Sequence, residues 1–304
     1  MTRFDITILG CGSAMPSTLH HPPSQLIDLN DKLFMIDCGE GTQLQMRKFK
    51  TRMGKLHALF ISHLHGDHIF GLPGLISTLS LLGRTDDLHI YSHRELDFML
   101  KPLLIYMGSH LSFRIHLHPM NPSQREVIYE NKTIRIISFP LKHRIDTNGF
   151  LFEEKERPRH MIREMIDFYR IPLRQIAAIK AGADFVTEEG TAVPNNILTT
   201  PAAPPRKYAY CSDTAYAPEI IPYIEGADLL YHEATFAESE LSRATETYHS
   251  TARQAAEMAA AARVKKLVIG HFSSRYNELE TLLQEASEIF PQTELADEGK
   301  ILSL

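Results

Sequence analysis

Short apolar runs bounded by Gly, Pro or Asn-Asp turns dominate the first half of the chain. Phe4–Leu9, Gln25–Leu29, Leu33–Ile36 and Leu56–Ser62 read as strands. A helix is predicted next, ending near Gly83, and a second over Glu95–Met107. Strands return at Phe113–His118, Glu126–Tyr129, Thr133–Phe139 and Gly149–Phe152. In the closing third, Lys207–Cys211, Leu229–Tyr231 and Lys266–Ile269 read as strands. The alanine-rich Ser250–Arg263 reads as a helix, with Ser250 or His249 near its N-terminus. A sheet-rich first half followed by strand–helix alternation predicts a layered α/β protein with its helices outside.

Residues 153–205 break this rhythm, being rich in charge and weak in strand signal. Lys155–Lys180 holds seven Lys/Arg and three acids, a local balance of +4 in a chain of net charge −5. One reading is a solvated helical hairpin, and the other is an arm that grips a polyanion. The overall charge argues against a uniformly basic nucleic-acid binder and leaves room for such a local patch.

With 304 residues, the chain has enough core to fold without staples. Its three cysteines, Cys11, Cys38 and Cys211, are odd in number and have no metal-ligand spacing, so they read as reduced, mostly structural thiols. No apolar run reaches membrane-spanning length, and Met1–Asp5 lacks the apolar segment of a secretion signal. The expected location is the cytoplasm.

The chemistry is concentrated at the end of one apolar run. His63-Leu64-His65-Gly66-Asp67-His68 puts three imidazoles and a carboxylate into six residues. Buried polar groups need partners, and a dication satisfies all four at once. His63 and His65, two apart, can leave a sheet on the same side. Gly66 is expected to allow a sharp turn that sends Asp67 and His68 toward a second point. Two diverging pairs suggest two metals, and imidazole with carboxylate suits zinc ahead of iron or manganese. His143, Asp213 and His271 each follow closely on a predicted strand, where α/β sheets collect ligand groups.

Together these residues resemble the metallo-β-lactamase superfamily, which implies a four-layer αββα sandwich with a binuclear site at one edge of its sheets. More specific are Ile36-Asp37-Cys38-Gly39-Glu40-Gly41-Thr42-Gln43, Gly71-Leu72-Pro73-Gly74-Leu75, His232-Glu233-Ala234-Thr235 and His249-Ser250-Thr251-Ala252. These resemble the bacterial short form of ribonuclease Z, the tRNA 3′-processing endonuclease family, nearly end to end. The resemblance implies a single domain over 1–304, with 153–205 inserted as a substrate-binding arm. It implies one zinc on His63, His65 and His143, a second on Asp67, His68 and His271, and Asp213 bridging. It also implies a precursor-tRNA substrate and a homodimer.

Asp67 is expected to orient the attacking water, and His249 to protonate the leaving ribose oxygen. Glu233, with His232 beside it, would hold His249 charged. The family's Pro-Thr-Lys-x-Arg-Asn loop is replaced here by Pro16-Ser17-Thr18-Leu19-His20-His21, and the arm lacks a Gly-Pro-rich tip. The competing expectations are a small-diester phosphodiesterase of the same fold, a thioester hydrolase and a non-catalytic tRNA-binding module.

Overall fold

The computed structural model describes residues 3–15, 17–30, 32–107 and 111–304. They form two compact units, Met1–Tyr129 with Ile136–Phe152 and Lys207–Leu304, and Glu130–Arg135 with Glu153–Arg206.

The larger unit is built on two seven-stranded sheets. β1 (Phe4–Gly10), β2 (Ser24–Leu29), β3 (Lys32–Ile36), β4 (Leu56–Phe60), β5 (Leu88–Ser92) and β6 (Ile115–Pro119) form the first, with β18 (Ile301–Ser303) beside β1. Its order is β18-β1-β2-β3-β4-β5-β6, antiparallel from β18 to β3 and parallel from β3 onward. The second contains β7 (Glu126–Glu130), β8 (Ile134–Pro140), β9 (Asn148–Glu154), β14 (Lys207–Cys211), β15 (Leu229–Glu233), β16 (Leu267–Gly270) and β17 (Thr293–Leu295). Strands β14 to β17 run parallel.

The two sheets face each other through aromatic side chains. Phe34 and Phe60 of the first meet Phe152 of the second at ring-centroid separations of 6.3 and 5.6 Å. On the first sheet's other face, Leu72, Leu75, Ile76 and Leu79 of the helix Leu72–Leu81 pack with strand residues including Met35, Leu59 and Ile90. Helix Ala252–Ala261 lies on β15 and β16 through buried Ala255, Ala256, Met258 and Ala259. The resulting αββα layering is that of the metallo-β-lactamase fold. All three cysteines are buried and unpaired by disulfides. No helix among the described residues is long and apolar enough to cross a membrane.

The single helix expected after the histidine cluster is two, Gly66–Ile69 and Leu72–Leu81. They divide at Gly71, whose N–H donates to the Cys38 carbonyl at 2.9 Å. A Cβ there would lie 2.0 Å from the Gly39 carbonyl oxygen, so only glycine permits this approach.

The smaller unit has its own apolar cluster of Ile171, Ile179, Phe185, Val193 and Leu198. Helices Arg163–Phe168 and Leu173–Lys180 contribute to it, alongside the short pairs β10 (His160–Met161) with β13 (Thr199–Thr200) and β11 (Phe185–Val186) with β12 (Ala192–Val193). Glu154 accepts from Arg206 Nε at 2.8 Å and Nη2 at 2.7 Å, and from Arg157 at 2.5 Å. Lys155 pairs with Glu130, and Arg159 donates to Thr199. Three of the seven cations therefore serve the unit itself, while Arg163, Arg170 and Arg174 are exposed.

Candidate metal centre and active site

Strand ends of both sheets deliver the candidate ligands. His63 and His65 follow β4, Asp67 and His68 lie on the helix Gly66–Ile69, and His143 follows β8. Asp213 follows β14, and His271 follows β16 with a left-handed φ of 61°. Gly66 acts differently from the expected turn. Its φ is not positive, and a Cβ would lie 2.3 Å from the Phe70 ring, so glycine makes room for that ring.

The seven candidates come together as two groups sharing one carboxylate. His63, His65, His143 and Asp213 form one, and Asp67, His68 and His271 the other, each with donor atoms within 4.8 Å of one another. Asp213 divides its oxygens between them. Oδ2 lies 3.6 and 3.7 Å from Nε2 of His63 and His143, and Oδ1 lies 3.2 and 3.1 Å from Nε2 of His68 and His271.

Hydrogen bonds on the far side of each ring fix which nitrogen faces the site. Nδ1 of His63 meets Ser62 Oγ at 3.0 Å, Nδ1 of His68 meets Asp37 Oδ2 at 2.8 Å, and Nδ1 of His271 meets Thr235 Oγ1 at 2.9 Å. Nδ1 of His143 donates to the Tyr248 carbonyl at 2.9 Å. All four therefore offer Nε2. His65 is reversed, with its Nδ1 2.9 Å from His63 Nε2 and 3.4 Å from His143 Nε2.

This donor set fits a dication. Nε2 of His68 and of His271 is buried and, although Asp213 Oδ1 lies 3.2 and 3.1 Å away, makes no well-aligned hydrogen bond, which is costly unless something electropositive sits between them. Burial pushes the pKa values of His63, His65 and His143 down, keeping these rings in the neutral form that ligates. Burial also opposes a charge on His68, yet Asp213, Asp37 and Asp67 together lift its pKa well above the ordinary value. The carboxylate charge at this point thus exceeds what neutral imidazoles can balance.

Above the ligands opens a cavity of about 550 Å³, lined by His65, Asp67, His143, Asp213, His249 and His271 among others. His249 Nδ1 lies 2.8 Å from Glu233 Oε1. Burial lowers the pKa of His249, but the Glu233 carboxylate outweighs it and raises the value to about 9. Glu233 is fully buried and also accepts from the Thr214 N–H at 2.7 Å and the Thr235 hydroxyl at 2.5 Å, so its orientation is fixed. Asp67 accepts the Ala14 N–H at 2.9 Å.

His232 does not join this group. Strand alternation along β15 turns it away from Glu233; it is buried, with Nδ1 donating to the Glu233 carbonyl oxygen at 2.7 Å, and it does not line the cavity. Two residues absent from the expected site do belong to it. Asp37 orients His68, and the exposed Arg144 guanidinium lines the cavity. Asp37 had a signal, an acid directly after a strand in Ile36-Asp37-Cys38, whereas nothing near Arg144 marked it.

Similarity to known proteins follows the same architecture. A family model described as anti-Pycsar protein Apyc1 matches residues 4–156, and one described as a β-lactamase superfamily domain matches 197–272. Ribonuclease Z of Parabacteroides distasonis is 55% identical over 304 residues, with all of both chains covered. The solved short form of human tRNase Z superposes with a TM-score of 0.72 at 25% identity, covering 98% of each chain. A metallo-β-lactamase fold protein of Bacillus subtilis gives 0.70 at 18% identity, over 99% of this chain and 100% of its own.

Proposed function

The chain belongs to the ribonuclease Z family, and from that premise we propose that it removes the 3′ trailer of precursor tRNA at a two-zinc site. It is a hydrolytic endoribonuclease of tRNA 3′ processing. In this reading His63, His65 and His143 would hold one zinc and Asp67, His68 and His271 the other, with Asp213 shared between the two groups. The observation that carries it is the division of the Asp213 oxygens between two imidazole groups.

When bound, a zinc pair supplies a water nucleophile at neutral pH and neutralises the phosphodiester oxygens. The remaining steps belong to side chains. Asp67, held by the Ala14 N–H, orients the attacking water and accepts its proton. His249, charged through Glu233, gives a proton to the departing ribose 3′-oxygen across the same cavity. The products are a 3′-hydroxyl on the tRNA and a 5′-phosphate on the trailer. His232 supports the core of β15 and takes no part.

The arm within residues 153–205 engages the tRNA body through exposed Arg163, Arg170 and Arg174. The protein works as a homodimer in the cytoplasm, where precursor tRNA is met. The deciding experiment compares a 3′-extended tRNA transcript with a small chromogenic phosphodiester, with end-group analysis of the RNA products. Preferential turnover of the transcript, cut once at the trailer junction, is expected. Turnover of the small diester alone would instead favour a small-molecule phosphodiesterase.

A further inference from the structure

We propose that Cys11, His20 and Glu298 form a separate metal site that takes one zinc ion and fastens the loop between β1 and β2. Cys11 is the second residue of Gly10-Cys11-Gly12, at the end of β1, His20 lies on the loop, and Glu298 stands between β17 and β18. The Cys11 sulfur, a ring nitrogen of His20 and a Glu298 carboxylate oxygen all lie within 4.8 Å of one another.

The spacing admits coordination. Cys11 Sγ is 3.5 Å from His20 Nδ1. A tetrahedral ion with Zn–S of about 2.3 Å and Zn–N of about 2.0 Å holds such a pair about 3.5 Å apart. Thiolate, imidazole and carboxylate together form a zinc donor set, with water in the fourth position. Cys38 and Cys211 are equally buried, yet neither belongs to a comparable donor group among the described residues.

Charge and hydrogen bonding favour a cation here. Glu298 accepts from the His21 amide, from His21 Nδ1 at 3.0 Å and from Gln45 Nε2 at 2.6 Å. A carboxylate has about four acceptor positions, so one remains for a metal. Burial and the neighbouring Glu298 and Asp297 charges keep the Cys11 thiol protonated in the absence of a metal. Binding breaks that S–H bond, forms S–Zn and releases one proton to solvent. His20 lines two cavities, of about 200 and 400 Å³.

The position gives the site a purpose. The same loop donates the Ala14 N–H to Asp67 at 2.9 Å and the Ser13 N–H to the Phe272 carbonyl at 2.9 Å, next to His271. An ion at its base would hold fixed the loop that supports the Asp67 carboxylate.

Cobalt separates this site from the catalytic one, since none of the catalytic candidates is a cysteine. The zinc-loaded full-length protein is exchanged with Co²⁺ and its near-ultraviolet spectrum recorded. A thiolate-to-cobalt charge-transfer band is expected, lost in Cys11→Ser together with one cobalt per chain by elemental analysis. Absence of the band in the parent protein at saturating Co²⁺, or its survival in Cys11→Ser, overturns the proposal. If Cys11→Ser fails to fold by circular dichroism, His20→Gln and Glu298→Gln decide. Each should raise the Co²⁺ concentration at half-maximal band intensity at least about tenfold, and an unchanged midpoint in both overturns the site.

Discussion

Asp37 and His68 are buried side by side, with Oδ2 of the acid 2.8 Å from Nδ1 of the imidazole. The same carboxylate accepts the Ser62 N–H at 2.8 Å, the Ser62 hydroxyl at 2.9 Å and the Tyr210 hydroxyl at 2.8 Å. Tyr210 belongs to the second sheet, so Asp37 ties β14 to the loop that carries the histidine cluster. It also determines that His68 presents Nε2 to Asp213. Asp37→Asn keeps the shape and removes the charge that fixes this tautomer. Metal affinity should fall about 10–100-fold in chelator competition, the usual cost of losing such an outer partner. An affinity equal to that of the parent would mean that the His68 ring is held by packing alone.

His65 and His143 meet across the site at 3.4 Å, His65 through Nδ1 and His143 through Nε2. Alanine at either position should remove a ligand and nearly all cleavage while leaving the far-ultraviolet circular dichroism unchanged. Zinc per chain, read by elemental analysis, should drop in both variants. Parent zinc content and rate in either one would remove that residue from the ligand set.

Much of this centre was legible in the sequence because the polar residues sit where apolar runs stop. His63, His65, Asp67 and His68 are contiguous, and His143, Asp213 and His271 each follow a β-run that the hydrophobic pattern alone marks. The facing of the rings was not legible. The division of the Asp213 oxygens is a product of how the two sheets meet, and the reversed His65 ring and the bond from His68 to Asp37 are products of how the segments after the neighbouring strands β3 and β4 pack, which no local pattern encodes. His232 shows the same limit, since a motif keeps neighbours together while β15 turns them to opposite sides. The interruption of the helix at Gly71 was hidden for a related reason, as the partner that demands glycine is a carbonyl 32 residues away in sequence.

The smaller unit should matter for tRNA and not for bond cleavage. Deleting about residues 155–203 and bridging with a short Gly-Ser linker removes Arg163, Arg170 and Arg174 but keeps the Glu154–Arg206 pair. A large rise in KM for precursor tRNA is expected, with a shallower dependence on salt because fewer phosphates are neutralised. Turnover of a small chromogenic diester should survive. Equal loss on both substrates would make the unit a structural element of the catalytic fold.

His249 and Glu233 give the sharpest test of mechanism. If His249 protonates the leaving oxygen, His249→Ala should lower kcat on RNA by about 10²–10⁴, the usual range for a lost general acid. Zinc content should hardly change, and a p-nitrophenyl ester, whose leaving group needs no proton, should be cleaved at close to the parent rate. The pH profile tests the partner. Against the opposing effect of burial, Glu233 raises the His249 pKa to about 9, so the acid form persists through neutral pH and is lost above it. Glu233→Gln removes the charge that raises it, so the alkaline fall in kcat should move to lower pH, toward the ordinary histidine value of about 6.5. Bound zinc, being positive, also lowers the His249 pKa, which moves the alkaline limb of both proteins downward and leaves the sign of their difference intact. If the limb stays fixed in Glu233→Gln while the rate drops equally on RNA and on the activated ester, His249 positions phosphate and the proton comes from elsewhere.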